Sequence, residues 1–147
     1  MAEKRVTDAM TADPRSVELE TPVAEAARIL RDEGVGSLPV VKGGRVTGMV
    51  TDRDLAVRVL AEGRDAGSTR VGDVVSGEPV TVRPEQDLDE ALRLMARHQV
   101  RRLPVVDDGD RLVGILAQAD VALAGDDERA GEVVEEISRP TEEKART

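Results

Sequence analysis

Apolar residues recur at three- and four-residue spacing along Val23–Glu33, where Val23, Ala26, Ala27 and Leu30 share one face. That is the period of an amphipathic helix. Thr21 supplies a capping hydroxyl, Pro22 suits the first helical turn, and Gly34 ends the segment. Leu88–His98 repeats the pattern with Leu88, Ala91, Leu92 and Met95. After each helix the pattern shortens to strand-like runs. Ser37–Lys42 and Arg45–Val50 are separated by Gly43-Gly44, a hairpin signal, and Leu103–Val106 and Leu112–Leu116 flank Asp108-Gly109-Asp110. A further helix begins near Asp52 and another near Gln118.

The elements occur twice because the chain repeats itself at an offset of roughly 65 residues. Pro14 meets Pro79, Val17 meets Val82, and Glu25-Ala26 meets Glu90-Ala91. Leu38-Pro39-Val40-Val41 meets Leu103-Pro104-Val105-Val106. One extra residue near Asp110 shifts the frame, so that Gly48 meets Gly114 and Asp54 meets Asp120. The expected organisation is a first repeat over 1–62, a polar linker over 63–70, a second repeat over 71–124 and an acidic tail over 125–147. About 60 residues is marginal for one core, so the two copies are expected to fold as a unit. Within the tail, Glu132–Ile137 is expected to form a short helix and Pro140–Thr147 to be disordered.

Composition narrows the chemistry. Hydrophobic residues make up 39% of the 147 positions and none is aromatic. The core is therefore aliphatic, and a flat ligand must be gripped by aliphatic faces, arginine planes and backbone. A net charge of −9 argues against nucleic acid as a partner but leaves room for a small phosphorylated ligand opposite a local arginine cluster. With no cysteine, disulfides, thiolate metal sites and a cysteine nucleophile are excluded. No segment approaches the roughly 20 apolar residues of a membrane span, and the N-terminal residues lack a signal-peptide core, so the cytoplasm is the expected location. His98, the single histidine, falls at a helix end without metal-ligand spacing. Neither a Ser/His/Asp constellation nor a G-x-x-x-x-G-K phosphate loop is present, so no catalytic residue, metal or required cofactor is expected.

The element order α-β-α-β-β-α, the LPVV strands and the segment GMVTDRDL resemble the cystathionine β-synthase (CBS) domain family, and two in tandem resemble the paired Bateman module. The segments HQVRRLPVV and TDRDLAVRVLAEG are similar to small two-repeat members of the hypoxic response protein type. The resemblance implies an α/β (α+β) fold of two βαββα repeats related by a pseudo-two-fold axis, each preceded by a short helix. It covers the chain to about Ala124.

In that family a glycine, a Thr or Ser three residues on and an Asp three further mark a nucleotide site, and Gly48, Thr51 and Asp54 fit in full. Gly48 would clear space for a ligand, and the Thr51 hydroxyl with helix N–H groups would hold a phosphate. Asp54 would hold ribose hydroxyls. Thr-x-x-Asp at a helix start is equally a capping-box variant, and both roles can coexist. The second copy keeps Gly114 and Asp120 but has Ala117 in the hydroxyl position, so phosphate binding does not carry over there. It also has Arg101-Arg102 where the first copy has Gly36-Ser37. Such forks suit phosphates, or alternatively pair with surface carboxylates. The resemblance puts the base against Thr11, Arg15 and Val35 in one copy and Ser76, Val80 and Val100 in the other. The ligands it implies are AMP, ADP, ATP or S-adenosylmethionine, sensed on behalf of a client protein. The competing reading is a ligand-free scaffold for dimerisation or protein contacts. Ala-rich helix faces in both copies point to a homodimer.

Overall fold

The computed structural model describes residues 4–75 and 78–124, with backbone alone for 122–124. Ser76 and the acidic tail, with its expected short helix and disorder, lie outside the described residues. The chain opens with α1 (Val6–Ala9), β1 (Thr11–Ala12) and β2 (Val17–Glu18), followed by α2 (Val23–Glu33). Helix α2 buries Val23, Ala26 and Leu30. Ala27 is exposed, because the buried stripe runs through Ala26 and leaves Ala27 on its other shoulder. Gly34 ends the helix in the left-handed region, at φ 66°, where only glycine is free of a Cβ penalty. The expected cap is corrected at the other end. Pro22 occupies the cap position itself, and the Thr21 hydroxyl accepts the Glu18 N–H at 3.0 Å instead. Bound to the preceding turn, that hydroxyl is directed away from the helix.

Strands β3 (Ser37–Lys42) and β4 (Arg45–Thr51) form a hairpin through Gly43 and Gly44 at φ 59° and 84°. Two consecutive positive φ values are what a twist-matched two-residue turn requires. Helix α3 (Asp52–Leu55) runs on into a π-helical turn over Ala56–Leu60, and a 3-10 turn over Val71–Asp73 opens the second copy. There follow α4 (Leu88–His98), β5 (Arg102–Val106), β6 (Leu112–Ala117) and α5 (Gln118–Ala124). Helix α4 buries all four expected residues, Leu88, Ala91, Leu92 and Met95. At the β5–β6 turn Asp107 Oδ1 accepts the Gly109 and Arg111 N–H groups, each at 2.9 Å. The Arg111 amide above all, with the Gly109 amide and nearby arginines, outweighs a desolvation penalty and holds this carboxyl below its ordinary value. The turn's contribution is therefore full at neutral pH and is lost as pH falls through that lowered value.

The repeat persists in the hydrogen bonding. Val17 pairs in parallel with Val40, and Val82 does the same with Val105. A bulge follows Val40 in one hairpin and Val105 in the other. Asp8 accepts the Arg5 N–H at 2.8 Å, and Asp73 accepts the Arg70 N–H at 3.0 Å.

Packing, however, crosses the linear order. Strand β1 pairs antiparallel with β6, Thr11 opposite Ile115, giving a sheet β1-β6-β5 beside the sheet β2-β3-β4. Val6 is fully buried among Val82, Leu88, Leu92, Met95 and Leu116 of the second copy. Reciprocally, Val71 and Val74 are buried among Val17, Val23, Leu30 and Val50 of the first. Each copy's leading segment thus completes the other's core. A small cluster of Val41, Val46 and Val106 joins the two hairpins, sealed by the Val46 N–H to Asp110 carbonyl and Leu112 N–H to Gly44 carbonyl bonds. Among the described residues no helix is long and apolar enough to cross a membrane.

Candidate ligand cleft between the repeats

Gly48 was expected to clear room for a ligand, and its role here is different. A Cβ at Gly48 would meet Val75 Cγ1 at 2.7 Å, and one at Gly114 would meet Met10 Sδ at 2.7 Å and the Thr11 carbonyl at 3.1 Å. Both glycines admit the leading segment of the opposite copy. The sites are consequently composite. The Gly114…Asp120 motif is joined to the Met10–Thr11 segment, and the Gly48…Asp54 motif to the segment at Val75.

Antiparallel pairing in each hairpin sets the start of one strand beside the end of the next. Ser37 faces Thr51, and Arg102 faces Ala117. The Asp52 N–H donates to the Gly36 carbonyl at 2.9 Å, and the Gln118 N–H to the Arg101 carbonyl at 2.8 Å. These two equivalent corners line one cleft of about 810 Å³ between the repeats. That is ample for a nucleotide-sized molecule. Its lining positions pair across the pseudo-two-fold: Gly34 with Gln99, Val35 with Val100, Gly36 with Arg101, Ser37 with Arg102, Thr51 with Ala117, and Asp52-Arg53 with Gln118-Ala119. Polar side chains are concentrated on Gln99–Arg102 from one copy and Thr51–Arg53 from the other.

Five arginines of the described residues, Arg5, Arg15, Arg31, Arg58 and Arg83, approach carboxylates. Arg53, Arg101 and Arg102 do not, nor do Arg28, Arg45, Arg64, Arg70, Arg93, Arg97 and Arg111; what sets the first three apart is that they line the cleft. The surface ion pairs weighed for Arg101 and Arg102 are thus absent among the described residues.

Thr51 lines the cleft and also caps α3. Its hydroxyl accepts the Asp54 N–H at 3.0 Å, and Asp54 Oδ2 accepts the Thr51 N–H at 2.9 Å. Asp54 Oδ1 lies 3.9 Å from Arg58 Nε, and Arg58 in turn donates to the Val74 carbonyl. The capping box is therefore fully formed, and Asp54 is not among the residues lining the cleft. Asp120 lies half-buried on α5 and Val80 packs against the second core; neither lines the cleft. A second pocket of about 270 Å³ gathers Thr11, Arg15 and Val35 with Arg102 and Ile115 from the other copy. The Arg15–Glu33 ion pair, at 3.8 Å, joins two of its lining residues. Val35, Ser37 and Arg102 line both pockets. His98 is exposed in the last turn of α4, and among the described residues no three His, Cys, Asp or Glu side chains converge on a metal-sized site.

Sequence reasoning passed over Asp52, Arg53, Gln99 and Gln118. The first two lie inside the Thr51…Asp54 motif, hidden by attention to its ends. Gln99 had a usable signal, since the offset sets it against Gly34, the residue ending α2. Gln99 adopts the same left-handed backbone, at φ 53°, while bearing a side chain. That conformation costs a non-glycine residue on the order of 1 kcal/mol. Gln99→Gly is expected to raise the melting temperature by a few degrees while weakening any ligand read by the amide. A lower melting temperature in thermal denaturation would contradict this account of the strain.

Comparison with known proteins agrees with this architecture. The CBS domain model matches residues 6–61 and 71–127. The CBS domain-containing protein YhcV of Bacillus subtilis is 44% identical over 134 residues, 90% of this chain and 94% of its own length. The crystal structure of Hypoxic Response Protein I with two coordinated zinc ions superposes with a TM-score of 0.75 at 34% identity, covering 82% of this chain and 98% of that one. That of CBSX2 in complex with AMP gives 0.72 at 32% identity, covering 82% and 94%. The chain belongs to the CBS domain family, as a pair of CBS repeats whose leading segments are exchanged around a shared cleft.

Proposed function

We propose that this CBS pair is a regulatory module that binds an adenine nucleotide or related adenosyl ligand in the cleft between its repeats, and passes that state to a client protein in the cytoplasm. The observation that carries this reading is the set of three arginines, Arg53, Arg101 and Arg102, lining the cleft without a carboxylate partner among the described residues. The chain holds 30 acidic against 21 basic residues, so these three cations gather in one cleft against an overall negative field. Guanidinium groups lining one cleft suit phosphate oxygens. Val35, Met49 and Val100 offer the aliphatic faces a base needs in a chain without aromatic residues. The complex of CBSX2 with AMP supports the same ligand class.

In this reading the Thr11, Arg15 and Val35 pocket takes the base of a ligand whose ribose faces Asp120, and Val80 with Val100 serves the site of Thr51 and Asp54. Asp54 keeps Oδ2 for its cap, and Oδ1 would leave its 3.9 Å approach to Arg58 Nε to accept a ribose hydroxyl. The full engagement of that cap, and the buried Ala117 in the equivalent place, favour the scaffold alternative. A thermal-shift screen of AMP, ADP, ATP and S-adenosylmethionine decides between them. A shift with any of them supports the sensor; no shift with all four, confirmed by calorimetry, leaves the scaffold.

The same module is expected to be a homodimer. Val57 and Leu60 are 44% and 80% exposed along the π-helical turn, apolar surface that a second copy would cover. Light scattering should give twice the 15.8 kDa chain mass at tens of micromolar. A monomer mass there would refute the dimer.

A further inference from the structure

The two corners of the cleft are not electrically alike. Where the second copy presents Arg101 and Gln118, the first presents Gly36 and Asp52. Asp52 lies against Gly36, its Oδ2 at 3.4 Å from where a Cβ on that glycine would stand. Its backbone is fixed there by the bond to the Gly36 carbonyl. Among the described residues its carboxylate has no hydrogen-bond or ion-pair partner. A bare carboxylate thus shares the lining with three bare guanidinium groups.

We propose that Asp52 is a specificity-determining residue that makes the cleft select a nucleoside monophosphate over a triphosphate; this rests on the nucleotide reading above. The argument is one of charge matching. The charged side chains of the lining are Asp52, Arg53, Arg101 and Arg102, a net of two positive charges. One terminal phosphate carries about −1.5 to −2 at neutral pH, which that lining balances. A triphosphate adds further negative charges, and they must extend past the arginines into a space bounded by the carboxylate. The chain's net charge of −9 supplies no compensation beyond the cleft. Each added charge a few ångströms from Asp52 in a solvated cleft loses on the order of threefold in affinity. Gln118, in the equivalent place, imposes no such loss.

The test is calorimetry of the full chain and of Asp52→Asn with adenosine, AMP and ATP, each with and without Mg²⁺. Asp52→Gln, which copies the residue at 118, serves as a second variant should the first fold poorly. The wild type is expected to bind AMP more tightly than ATP. The variants should raise the ratio of ATP to AMP affinity about tenfold and leave adenosine within twofold. An unchanged ratio overturns the role of Asp52 while leaving the nucleotide reading intact. A fall in ATP affinity in the variants that appears only with Mg²⁺ overturns it too, marking Asp52 as a cation ligand. If the wild type binds none of the three, the nucleotide reading and this inference fall together.

Discussion

A chain carrying Val6→Asp should lose the second repeat's structure first, although residue 6 precedes the whole of the first. Val6 is fully buried, and it packs on Val82, Leu88, Leu92 and Met95 rather than on its sequence neighbours. An unpaired carboxylate placed there costs on the order of 3–5 kcal/mol, a large part of the roughly 5–15 kcal/mol that holds a typical domain. Helix α1 also donates the Val6 and Thr7 N–H groups to the Gln86 and Pro84 carbonyls, which anchors the turn before α4. Urea denaturation should show the loss in midpoint, and amide exchange should locate it in α4, β5 and β6. The opposite pattern, with α2, β3 and β4 exchanging while α4 to β6 stay protected, would refute the crossed packing. The mirror substitution, Val71→Asp, should strike the first repeat's elements, because Val71 is buried among Val17, Val23 and Leu30.

That crossing marks where the sequence stopped being readable. Helices α2 and α4 were legible to their last residue because their apolar stripes, and for α2 the glycine at its C-terminal left-handed position, are local properties. The hairpins were legible for the same reason: Gly43 and Gly44 encode their own turn. Which core receives Val6 or Val71 is a non-local choice that no local pattern encodes, since both cores are aliphatic and nearly the same. The glycines of the motif illustrate the consequence. Gly48 and Gly114 were correctly singled out, but their missing side chains make room for Val75 and Met10, which the linear order assigns to other elements. Arg101 and Arg102 stood out by charge, whereas Arg53 and Asp52 were masked by a motif that already explained their neighbours. The absence of partners for the arginines is likewise a fact of three-dimensional placement.

Those unpaired arginines carry the largest expected effect on binding. For a ligand of micromolar affinity, about −8 kcal/mol, a concentration a hundred times its dissociation constant stabilises the fold by about 2.7 kcal/mol. In a chain of this size that is a rise of roughly 5–10 °C in melting temperature. The double substitution Arg101→Ala, Arg102→Ala removes two guanidinium forks from the cleft lining. A hydrogen bond to a charged group is worth about 1.5–3 kcal/mol, so affinity for a phosphorylated ligand should fall by a factor of about a hundred or more. The thermal shift should then vanish at concentrations that saturate the wild type. Without ligand the variant should melt within about a degree of the parent or slightly above it. Neither arginine has a partner to lose among the described residues, and three like charges around one cleft repel one another. Adenosine separates the causes, because it presents the base and ribose without the phosphate. If adenosine binds both chains alike while AMP binds only the parent, the arginines act on the phosphate. Were AMP to bind the double variant as tightly as the parent, the unpaired arginines would not be the reason the cleft holds a nucleotide, and the observation that carries the sensor reading would be gone.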